Sequence, residues 1–244
     1  MFRCVKTSYK IGEKILKIKV LPFIFLYKSP ENNKLMYFLT DKIGFPPVSE
    51  TSPEGILAIG GDLKPERLLL AYRNGIFPWY SEDEPIIWWS PDPRMVLFPE
   101  DLRVSKSMKQ LLRKETFSVT YNTAFEQVIR ACALMYRPGQ EDTWITNEME
   151  EAYIELFKMG YITSVEVWRG EKLVGGAYGV NLGHIFCGES MFARESNASK
   201  YGFIHLVRKL KAEGCQIIDC QMHTNHLASL GAYEVPREVF LSYL

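Results

Sequence analysis

The stretch TSVEVWRGEKLVGGAYGVNLGHIFCGESMFARESNASKYGFIHLVRKLKAEGCQIIDCQM, residues 163–222, changes its hydrophobic period twice, and the two changes set the fold. Residues 163–170, 171–183 and 184–192 are β-rich runs separated by glycine or charged turns, which predicts an antiparallel meander. Residues 196–214 then open on the cap-type Ser196 or Asn197, place Phe203, Leu206, Val207 and Leu210 on one side, and close at Gly214. A strand over 215–222 follows the helix. Meander, helix and strand in that order predict an α+β protein whose last long helix carries the chain to a new strand beside the meander.

Upstream the pattern is mostly helical. Residues 105–115 form an apolar face from Met108, Leu111 and Leu112, with Lys106, Lys109, Arg113 and Lys114 outside it. FSVTYN (117–122) reads as a strand, 122–134 as a helix, and 137–144 as a polar loop. Asn147 with Glu150 three residues later predicts a capping pair for a helix that Gly160 ends. Between 75 and 102 there are five prolines in 28 residues, a density that forbids a central strand or a long helix. Turn residues over 41–63 surround the strand-like ILAI, and Pro65 opens a short helix over 65–74.

Composition narrows the class. A 244-residue chain that is 47% hydrophobic and 24% charged is neither disordered nor fibrous. Five cysteines with no CxxC give no disulfide framework and suit a reducing cytoplasmic setting. Net charge is zero overall, but residues 1–35 carry eight Lys or Arg against two acids, net +6, which leaves −6 for the rest. The apolar run 20–27 is far shorter than the ~20 residues of a membrane span. Met36 opens a sequence that reads well as a protein start, so 1–35 is taken as a basic leader, dispensable or a mis-assigned start. The domains expected after it are a small N-terminal domain over 36–95 and a catalytic domain over 96–244.

Chemistry concentrates in IIDCQMHTNHLASLGA, residues 217–232. Strand alternation sends Asp219 and Gln221 to one face and Ile218 and Cys220 to the other, at the C-terminal end of a strand, where open α/β sheets place ligands. Taken as a metal site, Cys220, His223 and His226 lack the fourth ligand and second pair that zinc uses, so no metal is expected. Cys220 reads as packing rather than as a nucleophile. Neither LVGGAYG nor IGGDL has a phosphate-loop spacing, and their glycines read as a strand bend and a turn. Trp79, Trp88, Trp89 and Trp144 fall in Pro- or Gly-rich loops; with the lysines of 106–114 they make a nucleic-acid terminus a candidate ligand.

Taken together, GILAIGGDLKPERLLLAYRNGIFPWYSEDEPIIWWSPDPRMVLFPEDLRVSKSMK, TWIT, SVEVWRGEKLVGGAYGV, FCGESMFARESNASK and IIDCQMHTNHLASLGA resemble the bacterial leucyl/phenylalanyl-tRNA–protein transferases over about 41–243. That resemblance implies a small N-terminal domain and a GNAT-like domain with a mixed sheet. It also implies transfer of Leu, Phe or Met from aminoacyl-tRNA to the N-terminal Arg or Lys of acceptor proteins, which marks them for degradation. By the same likeness, Trp79 and Trp144 would hold the terminal adenosine. Phe186, Met191, Ile218, Ala177 and Leu206 would line the amino-acid pocket, and Glu189 would meet the acceptor's basic residue. Asp219 and Gln221 would be the reaction pair, with Asp219 either relaying a proton or orienting the amine. Ala177 and Leu206 stand where other members carry Met and Phe, a change in pocket size.

The likeness implies no cofactor, no metal and no membrane partner. A CoA-dependent N-acyltransferase would share the α+β order, but 194–202, RESNASKYG, lacks the glycine pattern that binds a pyrophosphate. A noncatalytic RNA-binding adaptor would need the tryptophans and lysines without Asp219 or Glu189.

Overall fold

Two neighbouring parallel strands need a long crossover between them, and one long helix supplies it here. The computed structural model describes residues 5–11, 14–20, 24–28, 35–135 and 145–244. The chain divides into two compact units, Met1–Pro91 and Asp92–Leu244.

In the first unit, β1 (Val5–Ile11) and β2 (Lys14–Val20) form an antiparallel hairpin. A second, five-stranded sheet among the described residues is built from β3 (Ile24–Lys28), β4 (Leu35–Leu39), β5 (Ile56–Gly60), β6 (Phe77–Pro78) and β7 (Ile87–Trp89), in the order β3-β4-β5-β7-β6. Strand β3 belongs to the stretch read from sequence as a leader, and it pairs with β4 from Ile24↔Leu39 to Lys28↔Leu35. The helix α1 (Pro65–Tyr72) starts on its proline as expected and buries Leu68, Leu69 and Tyr72. Trp88 is a core residue of β7 rather than a loop residue: it is fully buried, its indole N–H donates to Gly60 O at 2.8 Å, and its ring meets Phe45 edge-on.

The second unit runs β8 (Arg94–Leu97), α2 (Lys106–Arg113), β9 (Ser118–Tyr121), α3 (Phe125–Ala133), α4 (Asn147–Lys158), β10 (Ile162–Arg169), β11 (Lys172–Asn181), β12 (Ile185–Ala193), α5 (Ala198–Ala212), β13 (Ile217–Gln221), α6 (Asn225–Ser229), β14 (Tyr233–Val235) and α7 (Arg237–Leu241). Among the described residues its sheet has seven strands in the order β14-β8-β13-β12-β11-β10-β9. The pair β12–β13 is parallel and the other pairs are antiparallel, so this is the α+β, mixed-sheet architecture expected from the sequence. Helix α5 makes the crossover and lays Ile204, Leu206, Val207 and Leu210 into the core with Val165, Val167, Phe186 and Ile218. The contact is close enough to require glycine: a Cβ on Gly202 would lie 2.6 Å from Val167 Cγ2.

Two local expectations change. The proline-dense segment does contain an interior strand, β8, between β13 and β14. Pro93 and Pro99 flank its four residues, so no ladder N–H is lost. The cap of α4 is Thr146, whose hydroxyl accepts from Met149 N at 3.2 Å; Asn147 is already helical, and Glu150 takes Arg130 Nε at 2.9 Å. At α5 the N-cap is Asn197, one of the two residues expected there, although its φ of 67° is left-handed and its side chain makes no cap bond.

Candidate active site

The parallel strands β12 and β13 are in register only over Ile185–Cys187 against Ile217–Asp219, and each carries a bulge where that pairing stops. Across β11 and β12, Tyr178 faces Ser190 and Gly179 faces Gly188, which leaves Glu189 as the added residue. Across β13 and β8, Asp219 faces Val96 and Gln221 faces Met95, which leaves Cys220 as the added residue. A bulge bends its strand and re-aims side chains, and these two converge on one place. The first depends on glycine, because a Cβ at Gly179 would sit 2.2 Å from the Cys187 carbonyl oxygen.

At that place a chain of polar contacts links three strands and a helix. Asp219, 1% exposed, accepts from Arg94 Nε at 2.8 Å on Oδ1 and from Arg94 Nη2 at 2.7 Å on Oδ2. Its Oδ1 also accepts from the Gln221 backbone N–H at 2.9 Å. Gln221 has a φ of 63°, and its amide Nε2 donates to Glu189 Oε1 at 3.2 Å. The other oxygen of Glu189 accepts from the buried Tyr153 hydroxyl at 2.8 Å. Glu189 and Gln221 are half-buried, so the open end of the chain carries a carboxylate and the closed end an ion pair.

The structure therefore brings Asp219, Gln221 and Glu189 together and corrects how the first two are joined. Alternation fails at the Cys220 bulge: the Asp219 carboxylate turns to Arg94, the Gln221 amide turns to Glu189, and a main-chain hydrogen bond connects the two residues. Arg94 and Tyr153 were missed by sequence reasoning. Arg94 had one visible signal, a lone cation opening the otherwise apolar run RMVLF; Tyr153 sat in a helical apolar face and gave none.

Phe186, Ile218, Ala177 and Leu206 are all buried in one apolar cluster, with the half-buried Met191 packed against it. Ala177 faces Met191 and Phe186 faces Ile218 across the ladders. In the first unit Trp79 is half-buried, its ring 5.4 Å from that of Trp89, whose indole N–H donates to Trp79 O at 2.7 Å. Trp144 lies outside the described residues. Lys106, Lys109, Arg113 and Lys114 are exposed on α2 and just after it, beyond the Ser105 cap.

Burial, and then the Asp219 carboxylate, push the Cys220 and Cys187 thiols up, so both stay protonated and neither is a ready nucleophile. His223 is exposed, and among the described residues no group of three His, Cys, Asp or Glu could hold a metal ion.

The sequence model of the leucyl/phenylalanyl-tRNA protein transferase family matches residues 96–244, and that of the family's N-terminal domain matches 61–92. The leucyl/phenylalanyl-tRNA–protein transferase of Flavobacterium johnsoniae is 59% identical over 209 residues, covering 86% of this chain and 99% of that protein. The one from Christiangramia forsetii is 54% identical over 211 residues, covering 86% of this chain and 100% of its own. Among solved structures, a GCN5-related N-acetyltransferase from Kribbella flavida matches with a TM-score of 0.36 and 10% identity, over 70% of this chain and 60% of that one. On the family match and these identities, the chain belongs to the leucyl/phenylalanyl-tRNA protein transferase family.

Proposed function

We propose that this protein is an aminoacyltransferase that moves Leu, Phe or Met from aminoacyl-tRNA onto the N-terminal Arg or Lys of an acceptor protein, marking it for N-degron proteolysis. The observation that carries this reading is the convergence of Glu189, Gln221 and Asp219 where β12 and β13 part. The acceptor's α-amine attacks the ester carbonyl carbon; the new C–N bond forms, the C–O bond to the terminal ribose breaks, and a proton from the amine ends on the ribose oxygen. Because the ester is already activated, alignment is the main task and no cofactor is required.

The contacts support the following residue roles. Half-buried Glu189 supplies the negative charge that favours an Arg or Lys side chain over a neutral one, by electrostatic complementarity. With Gln221 Nε2 turned to Glu189, the amide oxygen of Gln221 is left to accept from the incoming amine. Asp219 acts as an orienting group rather than a proton relay: its two oxygens take three hydrogen bonds, and protonating it would leave the buried Arg94 guanidinium without its counter-charge.

On the donor side, the cluster around Phe186, Met191, Ile218, Ala177 and Leu206 would receive the amino-acid side chain. An apolar pocket separates one methylene by only ~1–3 kcal/mol, so Leu, Phe and Met can share it while β-branched shapes are rejected. Trp79 and Trp144 would stack on the terminal adenosine, and the cations of 106–114 would meet tRNA phosphates. These substrates place the protein in the cytoplasm. Among the described residues no helix is long and apolar enough to cross a membrane.

Donor selectivity tests the reading. With one Arg-initiated peptide, Leu-, Phe- and Met-tRNA should donate and Val- and Ile-tRNA should not. Equal transfer from Val-tRNA would contradict the pocket, and no transfer from any donor would contradict the reaction.

A further inference from the structure

We infer that Arg94 is a positioning residue for the transfer: its guanidinium fixes Asp219 so that Asp219 Oδ1 holds Gln221 in the left-handed conformation from which its amide meets Glu189. The inference rests on the reaction proposed above and adds to it a residue from a different strand.

Arg94 grips both carboxylate oxygens, Nε on Oδ1 at 2.8 Å and Nη2 on Oδ2 at 2.7 Å. A two-point fork sets the rotation of the carboxylate plane, which a single ammonium cannot do. Both side chains are almost wholly buried, 1% and 2% exposed, so water does not compete for the pair. The ring of Phe240 on α7 lies 4.7 Å from the guanidinium carbon and backs it on one face.

The fork fixes more than itself. A non-glycine residue at φ 63° persists only where its surroundings hold it. At Gln221 the hold is its backbone N–H on Asp219 Oδ1, 2.9 Å away, the same oxygen that Arg94 Nε grips. A purely structural staple between β8 and β13 would be redundant, since Ile218↔Leu97 and Asp219↔Val96 already pair those strands. The fork acts instead at the bulge itself, between the Asp219↔Val96 and Gln221↔Met95 pairs.

The test compares Arg94→Lys with the full wild-type chain. Four quantities are measured: the single-turnover rate from saturating Leu-tRNA to an Arg-initiated peptide, the Kd for Leu-tRNA, the thermal melt, and the ¹H–¹⁵N resonance of the Gln221 amide. Misaligned reactants lose on the order of 10²-fold in rate, so Arg94→Lys should transfer about 10- to 100-fold more slowly. Its Kd should stay within about threefold, and the Gln221 amide proton should move upfield. A cooperative melt with an unchanged rate and an unmoved Gln221 resonance overturns the inference. So does a rate loss matched by an equal loss of Leu-tRNA affinity, which would make Arg94 a binding residue.

Should Arg94→Lys melt without cooperativity, Phe240→Leu removes the backing ring and keeps the guanidinium. It should show a smaller rate loss with the same direction of shift at Gln221, and no change in either overturns the inference. A wild-type chain that transfers nothing overturns the proposed reaction and, with it, the catalytic use of Arg94. The Gln221 resonance separately reports the hold itself, and its failure to move in Arg94→Lys overturns positioning whatever the activity.

Discussion

Glu189 is the added residue of the β12 bulge, and Gly179, on β11, is the residue that lets the bulge close. A Cβ on Gly179 would lie 2.2 Å from Cys187 O and 2.5 Å from Phe186 Cζ, so backbone as well as side chain would have to move. Gly179→Ala should therefore lower stability by about 1–3 kcal/mol, the usual range for overpacking, and displace Glu189. The expected outcome is a lower urea midpoint together with reduced preference for Arg- over Ala-initiated peptides. A variant that loses stability alone would detach Gly179 from the site.

Tyr153→Phe removes the 2.8 Å donor to Glu189 Oε2 and keeps the ring contact with Tyr178. Hydrogen bonds to charged groups contribute about 1.5–3 kcal/mol, or roughly 10- to 100-fold in kcat/KM at 1.4 kcal/mol per tenfold. The loss should fall on the Arg-initiated acceptor, with Leu-tRNA binding little changed. Steady-state kinetics in each substrate separates the two.

The bulge and the ion pair mark the limit of what the sequence discloses. Residues 163–222 carried their own periods, so the meander, α5 and β13 were legible, with Gly214 as the stop. Asp219 and Gln221 stood out by their place at a strand's C-terminal end, Glu189 only by motif likeness, and the structure adds why the three meet. Alternation gave Asp219 and Gln221 a common face because it assumes an unbroken ladder, and nothing in IIDCQM announces that Cys220 is the added residue. Arg94 stands 125 positions before Asp219, and pairing at that separation leaves no local pattern. The hidden strand β8 escaped because four residues between prolines look like a loop.

Thr146→Ala should destabilise the second unit by about 1 kcal/mol, because its hydroxyl caps α4 through Met149 N. Asn147→Ala, at a position already inside the helix, should change stability far less. Equal losses in urea titrations would favour the cap read from sequence.

Stability should also depend on mild acid through two histidines. Burial, then Arg208, holds His205 below its ordinary value; burial, then Lys200, does the same at His226. With the folded value depressed, the unfolded chain binds more protons between the two values. Stability then rises with pH across that window, and it is lost as pH falls from about 6.5 towards the folded values. The thermal midpoint should drop between pH 7.5 and 5.5, and a His205→Gln, His226→Gln double variant should show a shallower drop. An unchanged slope would contradict the assignment.

In the proposed reaction the converging bulges make a peptide-bond-forming site selective for a basic N-terminus. The most direct measurement incubates the purified protein with Leu-tRNA and two peptides that differ only in beginning with Arg or Ala, and follows both masses. One leucine residue is expected on the Arg peptide and none on the Ala peptide. Equal addition to both, or none to either with the ester intact and the protein folded, would contradict it.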